Sequence, residues 1–325
     1  MIFVITTGSL LSAVIGRVGL SGDPGQQPDE RLYQAAGRSF QGAHWNTSAQ
    51  WFNELITRFP DSPRRPKAIL LLGESLFKQE KYKDAYGVLS NNRLTAGKLA
   101  DEYLYWMAEC RLGQGNLDAA DQVFAELLRD FPESSRVLES TIASAFVSAQ
   151  REDWPRIITL LSPTEGVFQQ EISGGDIDDL LQEGVLLLAE ALLQQKNPQS
   201  ARIFLEKLPR ALEKARAWRR DLLKVRIIES IGNFNEAFKI VSKMKVSSGV
   251  PDELFAQVVR LQSQLLVRQK KWGQAADVYE VLFDRRFDES IREISYFESA
   301  NILFRGGESF SAINCLERLL KDPEL

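Results

Sequence analysis

The sequence predicts an all-helical protein folded as an α-solenoid of about eight helical hairpins. The chain has 325 residues, more than the roughly 100–200 of an ordinary domain, so it forms either two domains or one elongated array. From Asp29 onward apolar residues recur at helical spacing, as in Ile69, Leu72 and Leu76, without the sustained alternation that would indicate strands. A pattern of small and large side chains then returns about every 37 residues, which is typical of repeat proteins.

The first 28 residues differ from the rest of the chain. Residues 1–16 carry no charged side chain, and the runs 2–5 and 10–15 are as apolar as the core of an export signal. The positively charged residues that normally precede the apolar core of an export signal are missing, and the stretch before Arg17 is shorter than the ~20 residues that span a bilayer. Export is the favoured interpretation, and a start further upstream, a short anchor and a plain apolar tail remain open. Residues 21–28 read as a linker.

Residues 29–325 contain eight units that share one pattern. In most units a large apolar residue is followed three positions later by a central residue, usually Ala, and a second large residue comes four positions after it. The fifth unit begins with Pro198, and the eighth is slightly shifted, as Phe310, Ala312 and Leu316. Leu117, Ala120 and Phe124 are one example. A small central residue lets two helices approach closely, and stacking of the hairpins buries the apolar stripe that one hairpin cannot bury alone. The central positions are 48, 85, 120, 157, 201, 237, 275 and 312.

Two irregularities interrupt this rhythm. The interval between the fourth and fifth centres is the longest, and residues 163–176, with Gly166, Gly174 and Gly175, are predicted to form a longer loop there. This loop is either a hinge or contact loop or an ordinary surface insertion. Residues 316–325 supply no polar capping helix, so we expect further chain, another domain or a partner to cover that end.

Two stretches of sequence resemble a known family. Leu72-Gly73 followed by Ala85, and Trp106-Met107-Ala108 followed by Ala120 and Pro132, resemble tetratricopeptide repeats. The resemblance covers residues 29–325 and implies a right-handed solenoid of tetratricopeptide-like hairpins. In this family the first helices line a concave groove that binds protein or peptide partners.

The segments 58–62 (Arg-Phe-Pro-Asp-Ser) and 130–134 (Asp-Phe-Pro-Glu-Ser) carry a more specific resemblance. They are similar to repeats of bacterial envelope proteins of the BamD-like outer-membrane assembly group and the YbgF-like Tol-Pal coordinator group. The similarity is specific over about residues 45–135. It implies a location in the bacterial envelope, although the chain has more units than those proteins and lacks a lipoprotein cysteine near its start.

Aligning the units on their central positions places a set of first-helix residues in the implied groove. The first five units contribute acidic and aromatic residues, namely Tyr33, Glu74, Phe77, Glu102, Tyr105, Glu109, Phe146, Glu183 and Glu190. The last three contribute mostly basic residues, namely Arg219, Arg226, Arg260, Arg268, Phe297 and Arg305. Such a charge gradient would orient an extended peptide or a partner helix, with aromatic anchors. The alternative is that these are ordinary solvated helix faces.

Composition and motifs argue against several classes of function. Lys and Arg number 40 and Asp and Glu 44, for a net charge of -4, so the chain lacks the basic excess of nucleic-acid-binding proteins. His44, Cys110 and Cys315 are too few and too scattered for a zinc site, and the cysteines lie too many hairpins apart for a disulfide. The sequence has no phosphate loop, dinucleotide fingerprint or nucleophile turn. We therefore predict no enzymatic activity, no metal and no cofactor.

These observations together predict a non-catalytic scaffold of the bacterial cell envelope that binds a protein or peptide in its groove. The expected location is the periplasm or the envelope, with membrane contact only through an uncleaved N-terminal segment and no nucleic-acid partner. Two alternatives remain open. The chain is either the helical arm of a larger envelope enzyme or a cytoplasmic regulatory protein.

Overall fold

The structure is a computed structural model that describes residues 27–244 and 251–322. It divides into two compact units, unit 1 ending at Gly175 and unit 2 beginning at Asp176. Regular structure in the described ranges is entirely helical, as the sequence predicts. The apolar segment 1–16, predicted as an export signal or anchor, lies outside the described residues. Among the described helices, none is both long and apolar enough to cross a bilayer.

Unit 1 contains four helical hairpins and a final short helix. The hairpins are α1 (Pro28–Gln41) with α2 (Trp45–Arg58), α3 (Arg65–Lys78) with α4 (Tyr82–Asn91), α5 (Ala100–Gly113) with α6 (Leu117–Asp130), and α7 (Val137–Gln150) with α8 (Trp154–Leu161). Two 3₁₀ turns, Arg93–Thr95 and Gly97–Leu99, connect α4 to α5. Helix α9 (Val167–Ser173) ends the unit.

Unit 2 contains four further hairpins. They are α10 (Asp179–Gln194) with α11 (Pro198–Leu205), α12 (Lys214–Ser230) with α13 (Phe234–Val241), α14 (Asp252–Arg268) with α15 (Trp272–Asp277), and α16 (Glu289–Arg305) with α17 (Ser309–Lys321). A 3₁₀ segment, Val278–Phe283, continues α15. The described residues therefore contain the eight hairpins that the repeat pattern predicts.

All eight hairpins turn through the same backbone geometry. Five positions before each predicted centre, one residue adopts a positive φ between 56° and 88°. The N–H of the following residue donates to a carbonyl five positions earlier, as from Lys81 to Leu76, which is the Schellman type of helix end. The turn residues are Ala43, Glu80, Gly115, Glu152, Lys196, Gly232, Lys270 and Gly307. The register is therefore the same in every hairpin.

Small buried residues bring the two helices of each hairpin together. The predicted centres all lie in second helices, with side chains 0% exposed in seven hairpins and 5% exposed at Ala312. Seven residues before each turn residue, the first helix carries another buried and mostly small residue. These residues are Ala36, Gly73, Ala108, Ala145, Ala189, Val225, Ser263 and Ala300. At Gly73 a Cβ atom would lie 2.8 Å from the Leu89 side chain, so the glycine permits this close approach.

The first helices of successive hairpins pack directly on one another. In unit 1, α3 contacts both α1 and α5, and in unit 2, α12 contacts α10 and α14, which in turn contacts α16. Each unit thus has one side formed by a row of first helices. This is the side on which the tetratricopeptide resemblance places the groove.

The prediction for residues 163–176 needs a correction. The sequence predicts a loop, but the structure has helix α9 at Val167–Ser173 within this segment. Phe168 and Ile172, one helical turn apart, are 1% and 3% exposed, so they pay for helix formation by burying apolar surface. The glycines that suggested a loop lie at the ends of this helix, where Gly166 and Gly174 are its caps.

Candidate functional site

The eleven residues predicted to bind a partner all lie on first helices. Unit 1 carries Tyr33 on α1, Glu74 and Phe77 on α3, Tyr105 and Glu109 on α5, and Phe146 on α7. Unit 2 carries Glu190 on α10, Arg219 and Arg226 on α12, and Arg260 and Arg268 on α14. The structure separates them into two surfaces. We call these the unit-1 groove, around Glu109 and Tyr105, and the unit-2 groove, around Arg226.

Glu109 is the most unusual group in the unit-1 groove. Its side chain is 8% exposed, and its Oε1 atom has no hydrogen-bond partner among the described residues. Burial raises the pKa of the Glu109 carboxyl to about 7, although the nearby charges of Lys78 and Arg136 act in the opposite direction. A carboxyl held in this way changes its charge near neutral pH. It can accept a hydrogen bond or pair with a cation that a partner brings.

Tyr105 and Arg136 form the adjacent wall of the unit-1 groove. The Arg136 guanidinium lies 4.7 Å from the centre of the Tyr105 ring, which is a cation–π arrangement. Arg136 also pairs with Glu102 at 3.0 Å and with Glu139 at 3.3 Å. Burial raises the pKa of the Tyr105 hydroxyl, so this side chain remains neutral. These contacts hold Arg136 in one orientation over the aromatic surface.

Glu74 and Phe77 complete this surface from α3. Burial raises the pKa of the Glu74 carboxyl, against the attraction of Lys78 and Arg136. The Phe77 ring packs edge-on against Trp106, with 5.2 Å between ring centres. Glu74, Phe77, Tyr105 and Glu109 therefore belong to one mixed aromatic and acidic cluster, and their role in partner binding stays a prediction.

Tyr33 and Phe146 occupy the flanks of unit 1. Tyr33 is half-buried and packs edge-on against Phe52, with 5.9 Å between ring centres. Burial raises the pKa of its hydroxyl. Phe146 is half-buried on α7.

The unit-2 groove is an open cavity of about 510 Å³ between α10, α12 and α14. Its floor is apolar and its walls carry charged and amide side chains. The lining residues are Glu190, Arg219, Leu222, Leu223, Arg226, Glu229, Leu254, Gln257, Arg260, Leu261 and Gln264. Four of the predicted residues, Glu190, Arg219, Arg226 and Arg260, are among them.

The charges of the unit-2 groove correct the predicted gradient. Arg219 pairs with Glu183 at 2.5 Å, and Arg226 pairs with Glu190 at 2.7 Å. Each pair joins residues 36 positions apart, so it links equivalent positions of successive hairpins. Because acidic residues of the fifth hairpin pair with basic residues of the sixth and neutralise them, the expectation of a basic surface at these two arginines is wrong.

The remaining predicted cations are also engaged. Arg268 pairs with Glu229 at 2.8 Å and lies 5.4 Å from the centre of the Phe234 ring. Arg260 lies close enough to Tyr279 to oppose the effect of burial, which raises the pKa of the Tyr279 hydroxyl to about 12. The groove wall is therefore a set of oriented ion pairs with small net charge.

Arg305 and Phe297, which the sequence also places in the groove, do not line the unit-2 cavity. Arg305 stacks over the Trp272 ring, with 5.7 Å from the guanidinium to the ring centre. Phe297 lines a separate apolar cavity with residues of α17. Phe297 therefore belongs to the face of the last hairpin.

Sequence reasoning missed several residues that shape both grooves. Lys78 and Arg136 control the electrostatics around Glu109, and Glu229, Gln257 and Gln264 line the unit-2 groove. Arg136 follows the Phe-Pro-Glu-Ser segment 131–134 by two residues, just as Arg64 follows the Phe-Pro-Asp-Ser segment 59–62. That repeated arginine is the signal that could have identified it.

The described residues show no arrangement typical of catalysis. His44 is exposed at the start of α2. Cys110 and Cys315 are both buried, and burial raises the pKa of the Cys110 thiol to about 12, far from that of a reactive thiolate. In the part of the chain that the structure describes, no three His, Cys, Asp or Glu side chains are grouped to hold a metal ion.

Comparisons with known proteins agree with this fold. Residues 42–127, which lie in unit 1, match the sequence profile of the family described as anaphase-promoting complex, cyclosome, subunit 3. A search of curated protein sequences finds no significant match.

Solved structures include similar folds. A tetratricopeptide repeat protein from Parabacteroides merdae aligns with a TM-score of 0.51 and 12% identity, over 82% of this chain and 96% of that one. The structure of Naa15/Naa10 bound to HypK-THB aligns with a TM-score of 0.43 and 16% identity, over 89% of this chain and 39% of that one. The first of these likenesses shows that the chain shares the tetratricopeptide-type helical fold.

Proposed function

We propose that the protein is a non-catalytic scaffold that binds a segment of another protein along its rows of first helices. The observation that carries this proposal is the unit-2 groove, an open cavity of about 510 Å³ with leucines on its floor and ion pairs on its walls. Concave sites with an apolar floor and a few oriented polar groups are typical of ligand and peptide binding. The bound segment combines apolar side chains with charges of both signs.

The ion pairs prepare this groove for binding. Arg226 and Glu190 each keep about a third of their side chain exposed while they pair with each other. Their orientation is therefore set before a partner arrives, and the entropy lost on binding is reduced. A partner carboxylate can share the Arg226 guanidinium, and a partner cation can share Glu190.

The unit-1 groove supplies the second contact area in this proposal. Half-buried Phe77 provides an aromatic anchor there, and aromatic anchors carry much of the binding energy at protein interfaces. Glu109 adds a carboxyl without a hydrogen-bond partner in the described structure. A partner lysine or arginine that reaches Glu109 would stabilise its ionised form and release a proton near neutral pH.

We also propose that the protein acts in the bacterial envelope, on the periplasmic side. The apolar, uncharged residues 1–16 and the two Phe-Pro-Asp/Glu-Ser segments in the style of BamD-like and YbgF-like proteins support this location. Fractionation of bacteria that express the full chain, followed by protease treatment of intact and permeabilised cells, tests it. Digestion only after the outer membrane is opened is the expected result, and a fully cytoplasmic pool would contradict it.

A charge-swap experiment tests the binding proposal. The variant Glu190→Arg/Arg226→Glu keeps an ion pair within the groove but exchanges the positions of its two charges. Affinity capture with cross-linking from native envelope extract should then recover about tenfold less of the wild-type partners, because the swap opposes complementary charges. The matched control is Glu54→Arg/Arg58→Glu, which swaps an exposed pair at 2.5 Å on α2.

The amount of partner captured distinguishes a partner-binding groove from an ordinary solvated helix face. If the groove binds partners, the control variant captures them as the wild type does and the groove variant does not. Equal recovery by all three proteins, with unchanged circular dichroism, would contradict partner binding in the unit-2 groove.

A further inference from the structure

Unit 2 has a second cavity on the other face of α12, which we call the side cavity. Its volume is about 760 Å³, and it lies between α11, the connecting segment 206–213, α12 and the start of α13. It shares no lining residue with the unit-2 groove. On α12 the lining residues recur at helical spacing and therefore form one face of the helix. They include Arg220, Asp221, Lys224, Ile227 and Ile228.

Asp221 stands at a position of α12 that is part of the core in every other hairpin. It lies eleven residues before the turn residue Gly232, and in the other seven first helices the equivalent residue is at most 6% exposed. Those seven residues are Leu32, Ile69, Leu104, Thr141, Val185, Val259 and Tyr296. The sixth hairpin therefore has a charged group where the repeat buries a side chain.

Lys224 departs from the repeat in the same way. It lies eight residues before the turn residue and is exposed, whereas Gln262 of α14 is half-buried at this position. The other six first helices bury the position to at most 4% exposure, with Ala35, Leu72, Met107, Ser144, Leu188 and Ser299. A charge at a core position costs stability, and departures of this kind mark functional sites.

Arg220 and Asp221 form a fixed pair in the wall of the side cavity. The Arg220 Nε atom donates to Asp221 at 2.9 Å, and its Nη1 atom donates to the carbonyl of Arg210 at 3.3 Å. These bonds neutralise the Asp221 carboxylate and hold the connecting segment against α12. The pair is therefore already engaged within the chain.

Lys224 and Arg210 supply the positive charge that remains. Among the described residues, neither has a carboxylate within ion-pair distance. The other charges of the lining are the pair Arg202–Glu206 at 2.8 Å and Glu236. Four cations thus face three carboxylates, which leaves one uncompensated positive charge in the cavity.

The floor of the side cavity is apolar. Leu205 and Leu208 come from the end of α11 and the connecting segment, Ile227 and Ile228 come from α12, and all four are at most 9% exposed. Ile227 and Ile228 follow Lys224 by three and four residues, so the floor begins one helical turn from its ammonium group. The cavity therefore has an apolar surface beside an unpaired cation.

We propose that the side cavity binds a small amphiphilic carboxylate, whose apolar chain lies on the leucine and isoleucine floor and whose head group pairs with Lys224. The cavity volume falls within the ~300–1,000 Å³ of small-molecule sites. The lining comes only from residues 202–236, so it suits a compact ligand rather than a peptide that follows the row of hairpins. One uncompensated positive charge matches a singly charged head group. The site does not depend on partner binding in the two grooves.

NMR titration of the full chain with octanoate tests the proposal, with octanol as a neutral probe of the same chain length. Octanoate should bind saturably with a Kd on the order of 1 mM or tighter, as expected for about ten non-hydrogen atoms. Octanol should bind about tenfold more weakly, because it cannot form an ion pair with an ammonium group. Absence of saturable octanoate binding up to about 10 mM, or equal affinity for the two probes, would overturn the proposal.

The variant Lys224→Leu tests which residue recognises the head group. Leucine stands at the same repeat position in α3 and α10, as Leu72 and Leu188, so this variant keeps the fold. It should weaken octanoate binding about tenfold and leave octanol binding unchanged, whereas Lys224→Arg should stay within about twofold of the wild type. The matched control is Lys239→Leu, at an exposed position of α13 outside the cavity, which should bind octanoate as the wild type does. Equal octanoate affinity in the wild type and Lys224→Leu, or the same loss in Lys239→Leu, would overturn the proposal.

Discussion

The two units use the same hairpin but divide its length differently. In unit 1 every first helix has 14 residues, and the second helices α2 and α6 have 14 as well. In unit 2 the first helices have 16 or 17 residues, whereas α11 and α13 have only eight. Unit 2 therefore extends the row that lines its groove, whereas second helices of eight residues occur in both units, as at α8 in unit 1.

The packing between the hairpins also varies along the chain. Four residues after each centre, unit 1 carries fully buried Phe52 and Phe124 in two hairpins and fully buried Leu89 and Leu161 in the other two. Unit 2 has Leu205, Val241 and the buried Tyr279 at the same repeat position, and a cavity of about 760 Å³ opens beside Leu205 and the end of α11. All eight hairpins therefore keep the same turn and the same contact between small residues, although the packing around them varies.

The largest expected effect comes from truncating one buried side chain in each unit to alanine. Phe124→Ala should lower the free energy of unfolding by about 4 kcal/mol, because a fully buried ring is lost from a closely packed site. Leu205→Ala, at the same repeat position, should cost only about 2 kcal/mol because its neighbours already border an open cavity. Urea unfolding followed by circular dichroism measures both values. Equal losses at the two positions would contradict the difference in packing.

The next effect depends on pH and concerns Glu109 in unit 1. The pKa of Glu109 is about 7 in the folded chain, above the ordinary value of 4.5. Below pH 4.5 the carboxyl is protonated in both states and contributes no pH dependence. Between pH 4.5 and 7 the Glu109 carboxyl is ionised in the unfolded chain but still protonated in the folded chain, so the free energy of unfolding falls as the pH rises. Above pH 7 the carboxyl is ionised in both states, and the stability lost does not increase further.

Glu109→Gln should remove this loss. The free energy of unfolding of the variant minus that of the wild type should be larger at pH 8 than at pH 4.5. The increase should reach up to roughly 3 kcal/mol, since each pKa unit corresponds to about 1.4 kcal/mol. Urea unfolding at both pH values measures the change, with exposed Glu133→Gln as control. A Glu109→Gln difference that does not vary with pH would show that the carboxyl is not held protonated.

The fold could be predicted from the sequence because its determinants recur. Ala85, Ala120, Ala201 and Ala237 appear at a regular interval, and each is buried as that interval requires. Helix α9 escaped prediction because its two buried residues, Phe168 and Ile172, make up a single turn between glycines. A pattern this short has too few repeats to be distinguished from a loop.

The site was predictable in position but not in electrostatics. Glu190 and Arg226 could be placed on first helices from the repeat alone, yet their ion pair depends on the distance between successive hairpins. Glu109 is likewise buried near Lys78 and Arg136 of the neighbouring hairpins, and no local pattern distinguishes it from an exposed glutamate. Pairs 36 residues apart, close to the repeat length, were the available signal.

A smaller effect concerns the link between hairpins in unit 1. Ser134 donates a hydrogen bond to Asp101 at 2.6 Å, just as Ser62 donates to Asp29 at 2.6 Å in the preceding pair. In unit 2 no aspartate stands at this repeat position, which holds Gln182, Trp218, Ala256 and Glu293. Ser134→Ala should therefore cost about 1.5 kcal/mol, the value of a hydrogen bond to a charged group.

Ser90→Ala is the matched control for this link. The Ser90 hydroxyl donates only to the carbonyl of Gly87 within its own helix, at 3.3 Å. Its loss should change the free energy of unfolding by less than about 0.5 kcal/mol. If both variants lose the same amount in urea unfolding, the serine–aspartate contact does not strengthen the stacking of unit 1.

The smallest effect tests the feature that the two units share, the positive-φ turn. Glu80 in unit 1 and Lys270 in unit 2 hold φ values of 61° and 59°, a region in which a side chain costs energy and glycine does not. Glu80→Gly and Lys270→Gly should each stabilise the chain by about 0.5–1 kcal/mol, since the gain in turn energy exceeds the added entropy of the unfolded glycine. Gly232→Ala, where a Cβ atom would meet open space, should destabilise it by a similar amount. Because the hairpins share one register, thermal unfolding should give the same sign in both units, and opposite signs for Glu80→Gly and Lys270→Gly would show that the turns are not equivalent.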